Sequence, residues 1–168
     1  RASRAGFDVY VPSKSVAAFR DKAITAARAL GGGVVGWDAL EIARIEAGTP
    51  RFGADMDESN IVLEAGIESS AISFSKGCYI GQEVISRMKK SGQTNKRLRG
   101  LASVAGNPLS SEMRLFPADS EKEVGQITSA SRSDRLGKEI ALGFVKRGSN
   151  EIGTRLAART AADAAAIE

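Results

Sequence analysis

Histidine is absent from this chain of 168 residues, and cysteine occurs once. Without histidine there is no serine–histidine or cysteine–histidine nucleophile pair, and the commonest metal ligand is lost as well. A solitary cysteine forms no internal disulfide and no cysteine-rich zinc site, so no metal site is expected and a reducing, cytoplasmic setting is. Aromatic residues make up 5% of the chain, and none interleaves the densest basic stretch, between Arg87 and Arg99. A stacking surface for single-stranded nucleic acid is therefore poorly supported. No apolar run reaches the roughly 20 residues of a membrane-spanning helix, and the opening residues lack the apolar segment of a signal peptide. Any chemistry must run on carboxylates, lysine, arginine, tyrosine or the one thiol.

What is present is enough for a core: 42% of residues are hydrophobic, which at this length supports one domain or two small ones. The formal net charge of +4 suits an anionic partner without choosing among phosphate, nucleic acid and polycarboxylate.

Phe7, Val9 and Val11 alternate with Asp8 and Tyr10, which predicts a half-buried strand ended by Pro12 and in need of a neighbour. Val16, Phe19, Ala23, Ala27 and Leu30 recur at helical spacing and stop at Gly31 to Gly33, predicting an amphipathic helix. Asp38 with Glu41 three places later reads as a capping box opening a second helix that ends at Gly48. Residues 49–77 read as a long ordered loop. After Gly81, "QEVISRMKK" favours a helix with Lys89 and Lys90 in its last turn. From residue 95 the texture changes to short strand-like segments, "RLRGLASVA", "EVGQITSAS" and "EIALGFVKR", separated by turns. Ile140, Leu142 and Phe144 alternate, and four or five such strands predict a small antiparallel barrel or sandwich. The closing "RLAARTAADAAAIE" fits either a helix or a last strand with a loose end.

The one cysteine, Cys78, stands in "KGCYIGQE" just ahead of the helix predicted from Gly81. Amides at a helix start and the Lys76 ammonium both favour a thiolate, so a reactive thiol of depressed pKa is the expectation. Gly77 and Gly81 let the backbone close around it, and Gln82 and Glu83 supply an amide and a carboxylate in the first turn. The alternative is a small buried hydrophobe of no chemical consequence.

The same string, followed by a basic helix, resembles the signature of the YgfZ family, folate-binding proteins of iron–sulfur assembly related to the aminomethyltransferase (T-protein) of glycine cleavage. "ARIEAGTPRFGADMD" looks like the arginine–x–glutamate–x–glycine segment of that family, "NIVLEAGIESSAISFSKGCYIGQE" like the lead into the signature, and "EVGQITSASRS" with "ALGFVKR" like hairpins of its barrel. The resemblance implies an α+β fold: a truncated T-protein-like folate-binding lobe over residues 1–94, then a small antiparallel C-terminal β-barrel over residues 95–168, with the N-terminal part of the folate-binding region missing. It implies a fold of three lobes around a channel that takes tetrahydrofolate, with Cys78 as the functional residue and Lys76 beside it. Folate, iron–sulfur proteins and tRNA modification that depends on them are the implied connections, and the protein need not be an enzyme. Arg44, Gly77, Tyr79, Gly81, Gln82, Glu83 and Arg87 are the candidate binding residues. The alternative within the superfamily is a tetrahydrofolate-dependent aminomethyltransferase. Against it, "SRAGF" sets Arg4 where those enzymes carry a glutamate for the pterin N–H donors, and a cation cannot accept them. A basic nucleic-acid-binding module is a second alternative.

Several of these residues have a structural reading too. Arg44 can brace the long loop by pairing with Asp55 or Asp57 instead of touching a ligand, and Gly53 with Asp55 is expected to shape the turn. Lys89, Lys90, Lys96, Arg97 and Arg99 are expected as a solvated face, with Arg87 set apart at i+4 from Glu83. Trp37 and Tyr79 are able to stack on a pterin, although Trp37 is expected in the core.

Overall fold

The computed structural model describes residues 6–92 and 94–160. Four helices, α1 (Val16–Ala29), α2 (Trp37–Glu46), α3 (Glu68–Ala71) and α4 (Gln82–Ser91), precede five strands, β1 (Lys96–Ala102), β2 (Arg114–Pro117), β3 (Gly125–Ser133), β4 (Lys138–Lys146) and β5 (Leu156–Arg159). The α+β architecture expected from the sequence is the one observed.

The strands form one antiparallel sheet in the order β1-β4-β3-β2-β5. The alternation read in β4 has a physical origin, because both faces of that strand are covered. Ala141 and Val145 pack with Leu115, Val124 and Ile127 on one side. Ile140 and Leu142 pack with Leu98 and with Ile45 of α2 on the other, where Phe144 joins them. Helix α2 thus closes the second face of the sheet. Strand β2 and the short helix α3 were not legible as elements, since neither exceeds four residues. The ambiguous closing segment supplies a strand at Leu156–Arg159; residues 161–168, like Arg4, lie outside the described residues.

Expectations fail at several points, each for a local reason. Residues 7–11 are not part of a sheet and are largely exposed, Phe7 at 95% and Tyr10 at 93%, because among the described residues no strand lies beside them to take their hydrogen bonds. Helix α1 forms as expected, but none of its residues, the apolar stripe included, is buried. Asp38 is not a cap. Helix α2 begins one residue earlier, Gly36 occupies the cap position without a side-chain bond, and Asp38 lies in the first turn, where its charge still suits the helix dipole. Trp37, expected in the core, is 73% exposed.

The β3–β4 pair approaches too closely for side chains at two points. A Cβ on Gly125 would sit 2.2 Å from the Phe144 carbonyl oxygen, and one on Gly143 would sit 2.6 Å from the Gln126 oxygen. Gly125→Ala or Gly143→Ala should therefore lower the unfolding free energy by on the order of 3 kcal/mol in a urea titration. Gly100→Ala, which meets nothing within 4 Å, should leave the midpoint almost unchanged.

Candidate functional site

Two clusters bear on function. The first joins α2, the loop after it and the barrel. Arg44, 5% exposed, and Asp55, 3% exposed, form its centre. Arg44 Nη1 donates to Asp55 Oδ2 at 2.6 Å and to the Thr49 carbonyl at 3.3 Å, its Nη2 donates to Ser129 Oγ at 2.7 Å, and its Nε donates to Glu41 Oε2 at 2.8 Å. Asp55 Oδ2 also accepts the Arg51 backbone N–H at 2.9 Å, while Oδ1 accepts the hydroxyls of Thr128 at 2.5 Å and Ser129 at 2.6 Å. Both carboxylate oxygens of Asp55 are thereby filled, which is what a buried charge requires.

Two consecutive strand residues normally point to opposite faces. Thr128 and Ser129 reach the same carboxylate because the β3–β4 register slips between Ile127 and Ser129, a bulge that re-aims one side chain. A second clasp lies further along β3, where Ser133 Oγ donates to Glu46 Oε1 at 2.5 Å and Arg135 Nε to Glu46 Oε2 at 2.7 Å. Of the two roles read for Arg44, bracing is the one the structure displays: each of its nitrogens is already engaged inside the protein. Glu41 carries the outer end of this network, bonded to Arg44 and paired with Arg51 at 3.0 Å. The hydrogen bond from Arg44 holds its carboxyl below the usual glutamate range. A polar cleft of about 400 Å³ opens here, lined by Glu41, Arg51, Ser110, Ser111 and Thr128 among others.

The second cluster is the turn before α4. Cys78 is exposed and unpaired with any other cysteine, so the buried-hydrophobe reading is set aside. Gly81 caps α4 at φ +86°, a left-handed conformation natural to glycine. Tyr79 donates its N–H to Gln82 Oε1 at 3.2 Å, and Gln82 returns its N–H to the Tyr79 carbonyl, also at 3.2 Å. The Gln82 side chain, expected as a ligand contact, thus closes the turn with its oxygen. The Lys76 ammonium, expected beside the thiol, lies 4.8 Å from the centroid of the Tyr79 ring, a cation–π contact. Lys89 makes a similar one over Phe74 at 3.5 Å. Gly77, Glu83 and Arg87 are exposed.

The rest of the basic stretch is largely committed within the chain. Lys96 lies 4.7 Å over the Phe144 ring, Arg97 pairs with Glu68 at 2.6 Å, and Arg99 Nε donates to the Asn150 carbonyl at 2.7 Å. These partners weaken the nucleic-acid reading. Among the described residues no helix is long and apolar enough to cross a membrane.

Comparison with known proteins agrees with this architecture. Residues 96–168 match the family described as the glycine cleavage T-protein C-terminal barrel domain. The chain is 30% identical over 142 residues to an aminomethyltransferase of Corynebacterium jeikeium, covering 84% of this chain and 36% of that protein. It is 32% identical over 154 residues to one of Symbiobacterium thermophilum, covering 90% and 40%. Among solved structures, the glycine cleavage system aminomethyltransferase T from Bartonella henselae superposes with a TM-score of 0.76 at 19% identity, over 88% of this chain and 40% of that one. The chain is thus T-protein-like, in the broad sense and in fold, and it spans about two fifths of the length of these relatives. These relatives carry the name of the aminomethyltransferase alternative, not of the YgfZ branch that the signature resembles.

Asp55→Ala, which strands the buried Arg44 charge, should cost about 3–5 kcal/mol by chemical denaturation. Glu41 has a lowered folded-state pKa, so its stabilising contribution is complete above the unfolded-state pKa and is lost as pH falls through the folded one. Glu41→Gln should accordingly flatten the acid limb of a plot of melting temperature against pH, relative to the unaltered chain.

Proposed function

We propose that this chain forms the C-terminal part of a T-protein-like, tetrahydrofolate-dependent one-carbon protein of the aminomethyltransferase kind. The observation that carries the proposal is the continuity of the likeness. Sequence similarity to aminomethyltransferases runs through helices and barrel alike, over 84% and 90% of the chain in the two relatives above. In this reading residues 1–94 contribute part of a folate-binding lobe, and the Arg44–Asp55 network fixes that part against the barrel of residues 95–168.

Among the described residues, neither of two cavities makes a complete folate site. A pterin calls for an aromatic or apolar wall and for acceptors to its N–H groups. The two cavities divide these features: the polar cleft holds Glu41 without an aromatic ring, and an apolar slot along α1 holds Tyr10 and Phe19 without a carboxylate. Tetrahydrofolate is accordingly assigned to the whole protein, and no step of the chemistry is assigned to a side chain here. What this chain supplies is a rigid support for one wall of the site.

A second reading rests on a separate observation, the exposed thiol of Cys78 in a turn closed by Tyr79 and Gln82. In that reading the protein supports iron–sulfur cluster assembly or repair, and through it tRNA modification, with Lys76, Gly77, Gly81, Glu83 and Arg87 shaping the surface around the thiol.

The two are separable. Tetrahydrofolate titrated calorimetrically into the full-length protein should bind, and Cys78→Ala should leave both that binding and aminomethyl transfer within about twofold. No heat of binding would remove the folate reading. Loss of iron–sulfur enzyme activity in cells carrying Cys78→Ala, with folate binding unchanged, would replace the first reading by the second.

A further inference from the structure

The polar cleft of about 400 Å³ beside α2 is shaped by the Arg44–Asp55 network but not filled by it. Of its polar lining, Arg44, Thr128 and Ser129 are spent on Asp55. Glu41 and Arg51 keep bonding capacity. Arg44 holds Glu41 Oε2 through Nε at 2.8 Å and Nη2 at 2.6 Å, which fixes the carboxylate and, chiefly through the hydrogen bond, favours its ionised form. Glu41 Oε1 meets Arg51 Nη1 at 3.0 Å. The Arg51 backbone N–H is anchored on Asp55 Oδ2 at 2.9 Å, but its side chain is 51% exposed and, among the described residues, has no partner besides Glu41. An ion pair so open to water contributes little, so the guanidinium is free to turn to another carboxylate. The hydroxyls of Ser110 and Ser111 line the same cleft and have no hydrogen-bond partner among the described residues.

We infer that the cleft binds a small zwitterion, an α-amino acid with a short side chain. Its ammonium takes the place of Arg51 on Glu41 Oε1, and its carboxylate takes the fork of Arg51 and the hydroxyls of Ser110 and Ser111. Charge balance selects this class of ligand. Glu41 and Asp55 are offset by Arg44 and Arg51, so the wall as a whole is neutral. A lone cation on Glu41 would leave Arg51 without a partner, and a lone anion that drew Arg51 away would leave Glu41 Oε1 without one. A ligand carrying both charges leaves every group paired, and the planar guanidinium suits a carboxylate through two parallel bonds. Size agrees: the volume lies toward the low end of ligand pockets, and Ala54 and Ala130 on the lining carry no side chain long enough to close it. This site is independent of folate and of Cys78.

Heteronuclear NMR on the protein with isotope-labelled arginine, in the absence of folate, tests this. L-Alanine should shift the Nε–H resonances of Arg51 and Arg44 along one saturable curve. Propionate and ethylamine, which each carry one of its two charges, should bind at least about tenfold more weakly, since each leaves a charged group unpaired. Arg51→Gln keeps the backbone bond to Asp55 and should weaken L-alanine binding by about tenfold or more, followed at Arg44 Nε–H; an unchanged Arg44 resonance before ligand is added shows that the network is intact in the variant. Shifts that rise linearly without saturating would overturn the inference. So would L-alanine binding undiminished by Arg51→Gln, or propionate binding as tightly as L-alanine, which would make the cleft a site for carboxylates alone.

Discussion

The buried pairing of Arg44 with Asp55 is the constraint on which the arrangement of this molecule depends. It links three parts of the chain that are far apart in sequence: helix α2 through Arg44, the following loop through Asp55 and the Arg51 backbone, and strand β3 through Thr128 and Ser129. A buried ion pair of this kind contributes little to net stability compared with an apolar replacement, and more to specifying one arrangement. Here the specification is geometric. The fork of the guanidinium and the two oxygens of the carboxylate accept only one placement of the loop on the sheet.

Around that point the apolar packing follows. Ile45, next to Arg44, enters the cluster with Leu98, Ile140 and Leu142, so the helix that carries the charge also covers the sheet. The polar link and the apolar cover are neighbours on one turn of α2. Loop residues 49–57 are thereby ordered without being long enough in apolar content to order themselves, and the Asp57 carboxylate finishes the loop by accepting the N–H and hydroxyl of Ser59.

Much of the fold was legible in the sequence because it rests on local periodicity. Helix α1 was visible in the spacing of Val16, Phe19 and Ala23, and β4 in the alternation of Ile140, Leu142 and Phe144. The pairing of Arg44 with Asp55 was one of two options that a charged pair near a loop allowed. The roles of Thr128 and Ser129 were not legible, since a bulge is a property of register between two strands and leaves no mark in one of them. The cap at Gly36 was missed because Asp38 and Glu41 imitate a capping box while Glu41 faces Arg44 instead. Lys76 was read from its distance in sequence to Cys78, but the aromatic face of Tyr79 offers the ammonium a contact that spacing does not reveal. Trp37 was misplaced for a different reason: hydrophobicity says that a side chain prefers burial, not that the described residues supply something to bury it.

The distribution of chromophores has a practical consequence. Trp37, Tyr10 and Tyr79 are the chain's only tryptophan and tyrosines, and all three precede the sheet, which begins at Lys96. The barrel is therefore silent in intrinsic fluorescence, and an emission change on denaturation reports on the helical half alone. Far-ultraviolet dichroism, in contrast, sees the strands. Coincidence of the two optical signals would mean that the link through α2 makes both halves melt as one body.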